Sequence, residues 1–237
     1  MLRQFSKSLM YMGVACLMLS AGWLASSSQA ATIIGTPVAL STLAGVPNAT
    51  ITVGDKLFEQ FGYTSSGDMP AAAGVNVVPI QDDAGNYGIR FQSAFADLAS
   101  SQGGSDALIT YKVTATDPGK LISDAHLQGN PNLLGTTGSI SVTETFLPLG
   151  PGGEYTMEIY DDEQNPDQPK LVDWVYFDPP VRSLNVQKDI LIVAGNQTAT
   201  LSFVDQTFSQ TPEATTLTLA LVSLVSLAGY RRRGRKQ

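Results

Sequence analysis

Apolar and polar residues alternate with a period of two again and again along this 237-residue chain, and helical periodicity does not recur in its body. A period of two sends successive side chains to opposite faces of an extended strand, so each such segment can bury only one face. Ile109, Tyr111, Val113 and Ala115 alternate with Thr110, Lys112 and Thr114. Ile140, Val142 and Phe146 share a face opposite Ser141, Thr143 and Thr145. Tyr155, Met157 and Ile159 alternate with Glu154, Thr156 and Glu158. Leu184, Val186, Ile190 and Ile192 share a face broken by Lys188, which marks an edge or an end. Leu201 and Phe203 begin another strand ending near Phe208; Tyr87, Ile89 and Phe91 make an earlier one, and Ile51 and Val53 a weaker one.

Turn chemistry separates these segments: Asp82-Asp83-Ala84-Gly85-Asn86, Gly150-Pro151-Gly152-Gly153 and Ala194-Gly195-Asn196. Only Lys56 to Phe61 hints at a helix, and it reads equally as strand or loop. Many short half-buried strands between turns predict an all-β fold, an antiparallel β-sandwich of Ig-like or jelly-roll-like form, over residues 31–208. No internal repeat interrupts that single domain.

Both ends are written differently. Arg3 and Lys7 precede an apolar run from Leu9 to Leu24, and Ser28-Gln29-Ala30 offers a small-x-small site before Ala31. Residues 1–30 therefore read as a Sec signal helix removed between Ala30 and Ala31 by signal peptidase. Cys16, the only cysteine, lies inside that run, so a chain beginning at Ala31 has no disulfide available in the oxidising compartment that export implies. At the other end, residues 209–213 read as a linker. The uncharged stretch from Ala214 to Tyr230 would span about 25 Å as a helix, just enough for one transmembrane pass. Arg231, Arg232, Arg233, Arg235 and Lys236 follow it and would stay cytoplasmic, with the body across the membrane.

The tail resembles the PEP-CTERM sorting signal of Gram-negative bacteria: Pro212-Glu213, then the apolar helix, Ala228-Gly229-Tyr230 and the arginine cluster. The family usually reads Pro-Glu-Pro, where this chain has Ala214. The resemblance implies an exosortase-like processing enzyme acting near Pro212 and Glu213, and a membrane anchorage that precedes processing. It also implies a place in the cell envelope or the exopolysaccharide matrix. Four body segments, Leu121 to Gly135, Gly138 to Phe146, Val181 to Ile190 and Ser202 to Gln210, look like a recurrent group of proteins with such tails. That group implies an architecture and no site.

Between Ala31 and Gln210 the chain carries seven basic and twenty acidic residues, about −13 in all. That surface repels nucleic acid and anionic lipid. His126 is the only histidine; with no cysteine in the body and no Gly-x-Ser-x-Gly elbow, it reads as a loop histidine rather than part of a triad or a zinc site. Asp161, Glu163, Asn165 and Asp167 recur at every second position as oxygen ligands do in a calcium loop. Pro166 and Val172 stand where that loop needs glycine and glutamate, which leaves a weak Ca²⁺ site or a solvated hairpin. Glu154 and Glu158 alternate outward on their strand, as solvated surface rather than a glycosidase pair. Trp174 and Tyr176 share one face of the segment Leu171 to Phe177, which Phe177-Asp178-Pro179-Pro180 should end. Exposed, the two rings would make a sugar-stacking platform; buried, they are core. The chain is thus expected to serve a structural or interaction role in the cell envelope, with a carbohydrate-binding module as the alternative, and with no catalytic residues.

Overall fold

The computed structural model describes residues 31–100, 103–134, 137–150, 153–162 and 169–212. The expected signal helix (residues 1–30), anchor helix (214–230) and basic tail (231–237) lie outside the described residues. No helix among those described is long and apolar enough to cross a membrane.

Among the described residues thirteen strands follow one another: β1 (Thr32–Ile33), β2 (Val38–Ala39), β3 (Thr50–Val53), β4 (Lys56–Ser66), β5 (Asn76–Gln81), β6 (Tyr87–Asp97), β7 (Ser105–Ala115), β8 (Lys120–Leu133), β9 (Ser139–Gly150), β10 (Gly153–Asp162), β11 (Val172–Val181), β12 (Ser183–Val193) and β13 (Ala199–Pro212). They form two antiparallel sheets. Sheet A has the order β1-β5-β6-β13-β8-β11, with β2 also on β5; sheet B has the order β10-β9-β12-β7-β4-β3. The last two described strands are therefore interior: β12 lies between β9 and β7, and β13 between β6 and β8. Neither sheet is complete until the C-terminal end of the domain is in place.

The inner faces carry the expected residues. Ile109, Tyr111, Val113, Ile140, Val142, Phe146, Met157, Ile159, Leu184, Val186, Ile190 and Ile192 are all buried in one core. Phe58, Phe61, Tyr111, Phe91 and Phe208 form an aromatic cluster between the sheets, with ring centroids 5.7 to 6.2 Å apart. A second cluster joins Phe146, Tyr155 and Phe177 edge to face.

Bulges explain where the pattern misleads. Lys56 to Phe61 is strand, and its helix-like spacing comes from an irregularity between Glu59 and Gly62, with Gln60 at φ 58°. The extra residue turns Phe61 back to the core, so Phe58 and Phe61 face inward at a spacing of three. A second irregularity between Leu201 and Val204 does the reverse to Phe203. Phe203 does not share the face of Leu201; it is partly exposed, with the Arg90 guanidinium 4.1 Å above its ring.

Three further expectations are corrected. Phe177-Asp178-Pro179-Pro180 interrupts β11 without ending it: the ladder breaks after Tyr176 and resumes at Val181, opposite Ile122. The strand lies at the sheet edge, where missing amide donors are tolerated. Ser209 to Pro212 is not linker, because β13 pairs with β8 as far as Pro212 opposite Lys120. Lys188 marks neither an edge nor an end: it sits at mid-strand in β12, wholly buried.

Candidate functional site

The outer face of sheet A along β11, β8 and β13 sets two exposed aromatic rings beside a half-exposed histidine and the buried polar side chains of Asp124 and Thr207. β11 alternates strictly: Val175 packs on the core and Phe177 lies in it, which sends Trp174 and Tyr176 outward. Trp174 is 57% exposed and Tyr176 67%. The sequence left both outcomes open; the structure makes them surface. The signal that would have decided it was the burial of Val175 and Phe177 on the other face, which needs tertiary packing to see.

Register then places their neighbours. Trp174 lies opposite His126 and Tyr176 opposite Asp124 on β8. One strand further in, Thr207 lies opposite His126 and Ser209 opposite Asp124 on β13. His126 is thus a strand residue, not a loop histidine, and it is half-exposed beside the platform. The platform and its polar neighbours come from three strands that are far apart in sequence.

The polar groups are held in place. His126 Nε2 lies 2.8 Å from Asp124 Oδ1, and Ser123 donates to Asp124 Oδ2 at 3.0 Å. Thr207 donates to Asp82 Oδ2 at 2.9 Å, and Asp82 is itself fixed in its turn by the Asn86 side chain and by the amides of Ala84 and Asn86. On the opposite face of β11 Lys170 pairs with Asp173 at 2.8 Å, and the Glu158 amide of β10 donates to the same carboxylate. The hydrogen bond to Asp124 raises the His126 pKa against the opposing effect of burial, with the charges of Asp124 and Asp82 adding to the rise. Burial pushes Asp124 up, but the hydrogen bonds from His126, Ser209 and Ser123 outweigh it and hold Asp124 below its ordinary value.

The acidic repeat is only partly within reach. Asp161 and Asp162 end β10, and Glu163, Asn165 and Asp167 lie outside the described residues. Among the described residues no three His, Cys, Asp or Glu side chains come together to hold a metal ion. Glu158 is exposed on β10. Ala31 is buried at the start of the described chain, its amide 3.4 Å from Asp205 Oδ2. Pro212 is the last residue of β13, and Glu213 lies beyond it, outside the described residues.

No family model and no curated protein matches this chain. Among solved structures it is similar to TmCBM61, determined in complex with β-1,4-galactotriose, with 15% identity and a TM-score of 0.31. That match covers 64% of this chain and 88% of that one. No residue role is carried across from it.

Proposed function

We propose that this chain binds carbohydrate on the outer face of sheet A. One observation carries the reading: Trp174 and Tyr176 stand outward on the same edge strand, each more than half exposed, directly across from the His126–Asp124 pair. A sugar ring offers a flat apolar face and a rim of hydroxyls. Aromatic rings meet the first, and fixed donors and acceptors meet the second. The platform supplies the rings; half-exposed His126, held by buried Asp124, supplies a fixed polar group beside them. The favoured ligand is a neutral glycan, because Asp82 and Asp124 on a strongly acidic body oppose a polyanionic one.

The place proposed for this binding is the cell envelope or the exopolysaccharide matrix, in a structural or interaction role. Entry by the Sec translocase, cleavage after Ala30, transient anchorage by residues 214–230 and processing near Pro212-Glu213 are supported by the terminal sequences. Affinity electrophoresis of the purified protein through gels containing neutral or anionic polysaccharides tests the binding. Retardation by a neutral polysaccharide that is lost in Trp174→Ala is the expected result. Unchanged mobility in every gel overturns it.

A further inference from the structure

Outside the sugar platform, one cluster of buried polar side chains between the sheets has no place in that reading. Lys188 of β12 and Glu144 of β9 lie opposite each other in sheet B, and Gln206 of β13 meets them from sheet A. All three are completely buried. Lys188 Nζ lies 2.6 Å from Glu144 Oε2 and 3.2 Å from Gln206 Oε1. The Tyr111 hydroxyl lies against Glu144, and the amide nitrogen of Gln206 has no hydrogen-bond partner. Buried polar atoms without partners are uncommon and call for an explanation.

We propose that Lys188 and Gln206 form an amide cross-link between the two sheets, with Glu144 as the acid–base catalyst. The arrangement supplies each part the step needs. Glu144 accepts a proton from the Lys188 ammonium across the 2.6 Å contact, leaving a neutral amine. The Nζ lone pair attacks Cδ of Gln206, whose carbonyl oxygen already faces it. The tetrahedral adduct returns a proton through Glu144 to Nε2, the C–N bond breaks, and ammonia leaves. The new Nζ–Cδ amide is the only bond gained; nothing is oxidised or reduced. Burial favours the uncharged forms throughout, since it lowers the Lys188 pKa and raises that of Glu144. The product is uncharged, which removes the cost of an ion pair in an apolar core. It also joins β12 to β13, the two interior strands contributed by the end of the chain. A body without cysteine would gain the staple that exported proteins usually take from disulfides.

The test is the mass of the folded protein's own peptides. After Arg182 the next basic residues are Lys188 and Arg231, and trypsin does not cut at an acylated lysine. The cross-link therefore predicts one tryptic peptide that begins at Ser183, is uncut at Lys188 and contains Gln206, lighter than its sequence by one ammonia. Fragmentation with a second protease should place the loss at Lys188 and Gln206. Glu144→Gln should restore cutting at Lys188 and the full mass. Full mass and complete cutting in the unaltered protein overturn the proposal. So does loss of one water with linkage to Glu144, or an ammonia loss that survives Glu144→Gln.

Discussion

Trp174 stands directly across from His126 in the β11–β8 register, and Thr207 follows on β13 in the same row. Removing an aromatic ring from such a row should weaken glycan binding while leaving the fold intact, because both rings are exposed. Trp174→Ala and Tyr176→Ala should each cost about 0.5–1.5 kcal/mol of affinity, roughly twofold to tenfold in Kd. Isothermal titration with a retarding polysaccharide, alongside an unchanged melting temperature, checks this.

The His126–Asp124 pair should make stability depend on pH in two windows. His126 is raised in the fold, so its contribution is fully present below the unfolded pKa of about 6.5 and is lost as pH rises through the folded value. Asp124 is lowered, so its contribution is present above an unfolded pKa of about 3.9 and is lost as pH falls through the folded value. His126→Gln should flatten the melting-temperature profile above the unfolded histidine pKa of about 6.5. A profile of unchanged shape would show that the pair carries no such linkage.

A contrary effect is expected on sheet B. Burial, with the neighbouring Asp106, raises the Asp189 pKa to about 6. The protonated form is favoured by folding, so stability is greatest below an unfolded pKa of about 3.9 and falls as pH rises through about 6. Asp189→Asn should therefore stabilise the protein at pH 7 and make little difference at pH 4. Paired melts at the two pH values check the sign.

The C-terminal boundary of the fold can be located by truncation. Gln210, Thr211 and Pro212 pair with Ile122, Leu121 and Lys120. A chain ending at Pro212 should melt like the longer protein, whereas one ending at Phe208 should melt several degrees lower. Processing after Pro212 would therefore leave the sandwich whole, and a cut several residues upstream would not.

Intact mass from native fractions addresses export. A species beginning at Ala31 and ending near Pro212 or Glu213 is the expected product of both processing steps. A membrane species retaining Arg231 to Lys236 would instead make the tail a permanent anchor.

The two-sheet architecture was legible because burial on one face imposes alternation, as Ile109 to Ala115 shows in both sequence and structure. Bulges hid part of it, since one added residue turns a strand's next side chains to the other face, as at Phe61 and Phe203. The core polar cluster was half-written. Glu144 falls on the face of Ile140, Val142 and Phe146, and Lys188 on that of Val186 and Ile190, yet local pattern treats either charge as an interruption. Nothing in the order of residues says that Gln206 will meet both from the opposite sheet.

Alternation alone determined that this chain makes half-buried antiparallel strands, because a side chain's face depends only on its parity along a strand. The tertiary structure decided which strands are neighbours, and so what each face meets. It put β12 and β13 in the interior and β11 at an edge. It turned Trp174 and Tyr176 to solvent beside His126, and it enclosed Lys188, Glu144 and Gln206 together. Those encounters join residues far apart in sequence, and only the packing of one sheet on the other brings them within reach.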